Sequence, residues 1–213
     1  MSDVLGIFAK EPVAGRVKTR LCPPFSPAQA TRLYRAFLRE TVAAMQAAPF
    51  DLVIFYCGDG SFFRSAFPGM TLVPQGGGSL GQRMSRALAH LLAEGGPAAL
   101  IGSDIPDLPP SLVQEAFRAL RRADFVTIPA ADGGYVLVGE RRHRPQMFED
   151  IPWSSEKVLA ATRRRATEQG LSYAEIGGWE DVDDLPSLER LMARSPDSAT
   201  AHLAAEILAG PGL

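Results

Sequence analysis

Four cations, Lys10, Arg16, Lys18 and Arg20, stand close together near the start of the chain, in the stretch FAKEPVAGRVKTRL. Gly15 lets this stretch bend and Pro12 stiffens it, and it directly follows a short apolar run from Val4 to Ala9. Cations and free backbone N–H groups at the end of a buried strand suit the binding of phosphate groups. The Walker A register does not fit: Val17 precedes Lys18-Thr19, and the nearest glycine is Gly15. A solvated basic loop is the competing reading, since surface charge accumulates readily.

Carboxylates recur in two later segments. In LIGSDIPDLPP an apolar run ends at Ser103-Asp104, and Pro106, Pro109 and Pro110 then hold off a helix. A carboxylate fixed there suits Mg²⁺, which takes one or two protein carboxylates and fills its remaining positions with water or phosphate. Asp107 fits turn and cap chemistry better than metal binding. In WEDVDDLPSLERL, Glu180, Asp181, Asp183 and Asp184 precede a helix. Asp184 alone suffices as its N-cap, which leaves another acid to complete a metal site.

Three further stretches carry glycine or hydroxyl chemistry. GGGSLG, Gly76 to Gly81, matches G-x-G-x-x-G, but it falls late in the chain after a weak strand, which argues against a nicotinamide cofactor. Asp132-Gly133-Gly134 suits either a tight hairpin or close approach of a substrate to the backbone. Trp153-Ser154-Ser155 precedes a helix, as an anion site or as an ordinary cap. Cys22 and Cys57 have no metal or disulfide spacing, and His90, His143 and His202 do not cluster; all five are expected to stand outside the chemistry.

The elements that must position these residues alternate. Short apolar runs at Val4–Ala9, Asp51–Cys57, Thr71–Pro74, Ala98–Asp104, DFVTIPA, GYVLVGE and LSYAEI read as strands. Helices are predicted after Ser26-Pro27, after Ser79, from a Ser111/Gln114 capping box through Leu120, from about Ser155, after Asp184, and near the C-terminus. This order predicts an α/β sandwich on a mostly parallel sheet, with loops gathered at one edge. No repeat or linker divides the 213 residues, so residues 1–213 are expected to form one domain. A net charge of -2 excludes a global basic field for nucleic acid or anionic membrane. With no long apolar span and no leader-like N-terminus, the expected location is cytoplasmic.

Together, FAKEPVAGRVKTRL, GGGSLGQRM, LIGSDIPDLP, PAADGGYVLVG, IPWSS and WEDVDDLPSLERL resemble a bacterial family of small DUF2064-type transferases called arsenosugar-biosynthesis glycosyltransferases. The resemblance runs from Leu5 to about Leu191, and extends to the 2-phospholactate guanylyltransferases. It implies a Rossmann-like three-layer α/β/α sandwich with a mostly parallel mixed sheet, the nucleotide-diphospho-sugar transferase fold of the GT-A type, with a nucleotide at the carboxyl edge of the sheet and Mg²⁺ or Mn²⁺ as cofactor. Phe8, Ala9, Lys10, Gly15, Lys18, Thr19, Arg20, Gly81 and Arg83 would then face the nucleotide. Asp104 and Asp183 would hold the metal; Gly133, Gly134, Tyr135, Trp153, Ser154 and Ser155 would border the acceptor. Lys18, Arg20 and Asp104 would act on the departing phosphate, and Asp132 would serve as acceptor-side base. The D-x-D triplet of many glycosyltransferases is absent, because Ile105-Pro106 follows Asp104. The expected function is therefore metal-dependent transfer from a nucleotide donor to a small acceptor, by glycosyl transfer from a nucleotide sugar. Nucleotidylyl transfer from a nucleoside triphosphate is the alternative, and a non-catalytic nucleotide-binding regulator is a third reading. No nucleic acid or membrane partner is expected, and a homo-oligomer is left open.

Overall fold

The computed structural model describes residues 3–93 and 95–210. Its centre is β1 (Asp3–Lys10), which pairs in parallel with β2 (Phe50–Cys57) on one side and β4 (Ala98–Gly102) on the other. β3 (Thr71–Pro74) extends the sheet beyond β2. On the far side, β6 (Tyr135–Glu140) runs antiparallel between β4 and β5 (Phe125–Pro129), and β7 (Tyr173–Glu175) closes the edge parallel to β5. The order is β3-β2-β1-β4-β6-β5-β7. The expected Rossmann-like mixed sheet is therefore present, with one reversed strand.

Successive side chains of a strand point to opposite faces, and β1 shows why it must lie at the centre. Leu5, Ile7 and Ala9 pack on one face with α1 (Pro27–Gln46) and α4 (Pro110–Leu120), while Val4 and Phe8 pack on the other with α3 (Leu80–Leu92). α2 (Gly60–Ala66) adds Phe63 to the first face. α5 (Val158–Glu168) lies beyond β6. Each large side chain buried in these layers contributes roughly 1.5–3 kcal/mol over leaving it in water.

A third apolar cluster positions the chemistry. Val17, Leu21 and Phe25, from the segment after β1, are buried with Leu33 and Phe37 of α1. The same cluster holds Val182, Leu188 and Leu191, from the start and body of α6 (Leu185–Arg194), and the inner face of α7 (Ala199–Ala209). Apolar anchors thus fasten the cationic loop and the second acidic segment to one another, so that the polar residues between the anchors have fixed places.

Caps define several helix starts. Ser26 and Gln29 form a reciprocal capping box, as do Ser79 with Gln82 and Asp184 with Ser187. Two expected starts differ. α4 begins at Pro110 with Pro109 at the N-cap, so Ser111 already lies inside the helix and its box with Gln114 does not form. Proline's fixed φ suits the first helical turn, which moves the start forward. α5 begins at Val158, not near Ser155, because Ser155 Oγ is spent on a turn, donating to Pro152 O at 2.6 Å. Among the described residues no helix is long and apolar enough to cross a membrane.

Candidate active site

Lys18 is the hinge of the site. Its backbone adopts the left-handed conformation, φ 50°, which turns the side chain inward. Only 4% of the side chain remains exposed, and the ammonium lies 2.8 Å from Asp183 Oδ1, 2.9 Å from Asp104 Oδ1 and 2.7 Å from the Val182 carbonyl. Burial works against its charge, but the two carboxylates outweigh it and raise its pKa. Segments from the middle and the later part of the chain therefore meet on one cation from near its start. A backbone hydrogen bond from Val182 N to Asp104 O, 2.8 Å, zips them further.

Beside this clamp opens a cavity of about 520 Å³ at the carboxyl edge of β1 and β4. Phe8, Ala9, Lys10, Arg16, Lys18, Thr19 and Arg20 line one side, and Leu80, Arg83 and Met84 of α3 line another. Asp104, Asp183, Tyr135 and Ser154 complete the rim. Most residues expected to face a nucleotide are thus gathered on one cavity, with the two expected metal ligands at its mouth. Arg20 is largely exposed, with its guanidinium 3.6 Å from Asp183 Oδ2. Asp104 Oδ1 is buried, and its close partner is the Lys18 ammonium at 2.9 Å, counted as an ion pair and not as a hydrogen bond.

Seven of the expected residues lie off the cavity wall. Gly15 (φ 76°) bends the first loop into open space. Gly81 is a packing glycine: a Cβ there would meet the Phe148 carbonyl at 2.7 Å and the Trp153 indole. Trp153 stacks on Phe148 and meets Tyr135 edge-on, so it walls the site from behind. Gly133 lies against the backbone of Glu156, and Gly134 N donates to Asp132 Oδ1 at 2.8 Å, an Asx turn that uses one oxygen of the exposed Asp132 carboxylate. Ser155 makes the turn described above.

Two lining residues, Tyr34 and Gln75, escaped the sequence reading. Tyr34, on α1, is buried with its hydroxyl at the cavity. It accepts from Lys10 N and shares a hydrogen bond with Ser103 Oγ, both at 2.9 Å. Burial, and then the Asp104 charge, raise its pKa, so it stays a neutral donor or acceptor. Gln75, just after β3, donates to Phe55 O (2.9 Å) and Ala9 O (3.3 Å) and accepts from Arg83 at 2.7 Å, which aims that guanidinium across the cavity.

Asp181 also belongs to this edge. Burial, and then the charges of Asp183 and Asp132, push its carboxyl up to about 6. A folded-state pKa above the unfolded value means that the native state holds the proton more tightly, so stability falls as pH rises from about 4 to 6. Asp181→Asn, in chelator, is expected to add about 1–2 kcal/mol at pH 8, after solvent screening, and nothing at pH 3.5. Chemical denaturation at the two pH values checks this; equal gains at both would show that the charge is not the cause.

The order of strands and the cavity beyond the carboxyl ends of β1 and β4 define an α/β protein of the kind in which ligands bind at that edge. The chain belongs to the family described as "Uncharacterized protein conserved in bacteria (DUF2064)", whose profile matches residues 32–155. It is similar to a proposed nucleotide-diphospho-sugar transferase from Desulfovibrio desulfuricans G20, with 33% identity over 98% of this chain and 96% of that one, and a TM-score of 0.90. The fold alone is shared with a CMP:2-keto-3-deoxy-manno-octonic acid synthetase complexed with CTP, at 14% identity, 92% and 99% coverage and a TM-score of 0.58. It is shared too with the 4-diphosphocytidyl-2C-methyl-D-erythritol synthase of Anaerococcus prevotii DSM 20548, at 9% identity, 90% and 98% coverage and a TM-score of 0.58. No curated protein matches the chain significantly.

Proposed function

We propose that this protein is a metal-dependent transferase that acts on a nucleotide donor, and that it transfers a glycosyl group from a nucleotide sugar to a small acceptor. The observation that carries this reading is the Lys18 clamp on Asp104 and Asp183 at the mouth of the cationic cavity. The DUF2064 membership and the likeness to the Desulfovibrio protein support it.

The donor set suits a hard divalent cation. Asp104 and Asp183 present carboxylate oxygens side by side, Asp104 Oδ1 has no hydrogen bond, and Asp181 stands next to them. Among the described residues no cage of three or more His, Cys, Asp or Glu converges, which leaves a cation to draw its other ligands from phosphate and water. Asp104 and Asp183 would hold Mg²⁺ or Mn²⁺, which when bound would offset charge on the donor phosphates. Lys10, Arg16 and Arg20 draw the phosphates into the cavity, and Lys18 stabilises the charge that collects on the leaving phosphate. Tyr34 and Lys10 N fix the wall near the phosphates, while Arg83, aimed by Gln75, meets the other end of the donor. Asp132, with one oxygen still free, takes the acceptor's proton.

A second reading has its own observation. Five cations face the cavity against two carboxylates, a surplus better matched to a triphosphate than to a diphosphate sugar. Nucleotidylyl transfer with release of pyrophosphate would use the same residues. Thermal stabilisation by a panel of nucleoside triphosphates and nucleotide sugars, with and without Mg²⁺ or Mn²⁺, decides between the two. A ligand at about 100 times its Kd adds roughly 2.7 kcal/mol. Metal-dependent stabilisation by nucleotide sugars is expected; stabilisation by one triphosphate instead selects nucleotidylyl transfer. No metal-dependent response to any donor would overturn both.

A further inference from the structure

A second polar constellation stands at the opposite edge of the sheet. Glu140 ends β6 and is wholly buried beside the starts of β4 and β5, in register with Ala98 and Phe125. Tyr135, at the other end of β6, is on the nucleotide cavity, and strand rise separates the two by roughly 16 Å. Glu140 Oε1 lies 2.7 Å from His143 Nδ1, and Oε2 accepts the Arg144 backbone N–H at 3.0 Å. His143 Nε2 lies 3.2 Å from Ser85 Oγ, on α3.

Oε2 of Glu140 accepts from Arg144, and in the tautomer that turns Nδ1–H of His143 toward Oε1 the Nε2 atom presents its lone pair. The Ser85 hydroxyl then donates to Nε2. A serine inside a helix commonly points to solvent or turns back to the carbonyl four residues earlier; Ser85 instead bonds across to a loop 58 positions away in sequence. The arrangement is that of a nucleophile, a general base and a buried carboxylate that orients the base. Ser85 is only half-buried and the His143 side chain is 27% exposed, so solutes can reach them.

We propose that Ser85 is an activated nucleophile and that this edge carries a second activity, hydrolysis of small acyl esters, separate from the nucleotide site. Ser85 Oγ attacks the acyl carbonyl carbon as its proton passes to His143 Nε2. The ester C–O bond breaks and the alcohol departs with that proton. Water, deprotonated by His143, then attacks the acyl-serine, releasing the carboxylic acid and returning a proton to Ser85. No oxidant or cofactor is consumed.

The test uses the full chain with a fluorophosphonate probe, read by intact mass and peptide mapping, and with 4-nitrophenyl acetate, read as nitrophenol release. The expected result is one adduct on Ser85, absent from Ser85→Ala, and nitrophenol release that Ser85→Ala removes. In His143→Gln, labelling should slow on the order of 10²-fold, with the melting midpoint reported alongside. Should His143→Gln not fold, mapping in the native chain and in Ser85→Ala still decides. An adduct elsewhere, no adduct, or equal labelling of a folded His143→Gln would overturn the proposal and leave the three groups as an anchor for residues 140–144.

Discussion

Lys18→Met is expected to cost about 2–3 kcal/mol of stability and to abolish metal-dependent donor stabilisation. The ammonium has three partners and almost no solvent. Removing one member of a buried ion pair typically costs about 3–5 kcal/mol, because the charge left behind is uncompensated. Asp104 and Asp183 remain 38% and 42% exposed and can rehydrate, which lowers the figure. For a chain of this size the loss amounts to a fall of roughly 5–10 °C in Tm. Asp183→Asn in the same chain should recover part of it, since one of the two opposed carboxylates is then neutral. A coupling of about 1 kcal/mol or more is the expected sign of direct contact. An unchanged Tm, or strictly additive losses in the double variant, would mean that the clamp does not form in solution. Turnover of whichever donor stabilises the protein should fall about 10²-fold or more, as for loss of one preorganised charge contact.

The convergence behind that result was partly legible in the sequence. Strand ends carry loops to one edge, so a cation after β1 and carboxylates after β4 and before α6 had to share a neighbourhood. Capping chemistry was legible at Ser26, Ser79 and Asp184, where the side chain does the capping, but Asp59 and Ser198 cap α2 and α7 in the same way and were not singled out. Ser111 failed because the neighbouring prolines set the start of α4, a backbone effect that outranks a side-chain pattern. Tyr34 reads as a core residue because its ring is one; only its hydroxyl, which hydropathy ignores, reaches the cavity. Gln75 is a single polar residue after an edge strand, and its role depends on carbonyls of β1 and β2 that periodicity cannot locate. The antiparallel pairing of β6 with β5 was open in the hairpin reading of Asp132-Gly133-Gly134, but the insertion of β6 beside β4 was hidden, since a buried strand has the same pattern in either direction. Glycines hid most of all: Gly15, Gly81 and Gly133 look alike in sequence and do different things.

Gly133 and Gly15 separate those roles by experiment. Both hold positive φ, 86° and 76°, where a side chain costs about 1–2 kcal/mol. Around Gly15 a Cβ would meet nothing within 4 Å, so Gly15→Ala should cost only that strain. At Gly133 the Cβ would press on the Glu156 backbone, with its Cα at 2.9 Å and its carbonyl carbon at 2.8 Å. Backbone cannot turn aside as a flexible side chain can, and overpacking adds roughly 1–3 kcal/mol. Gly133→Ala is therefore expected to lose about 3–4 kcal/mol, against about 1 for Gly15→Ala, read by urea denaturation. The loss has a functional reach. The Gly133 carbonyl accepts from Leu159 N at 2.9 Å, which ties the hairpin turn to the first turn of α5 and to the segment that sets Ser154 on the cavity rim. If Gly133→Ala were as mild as Gly15→Ala, the turn would not be braced against Glu156. Gly133 would then have to be kept free of a side chain for a ligand's approach, as the sequence reading supposed, and donor or acceptor binding would fall without loss of stability.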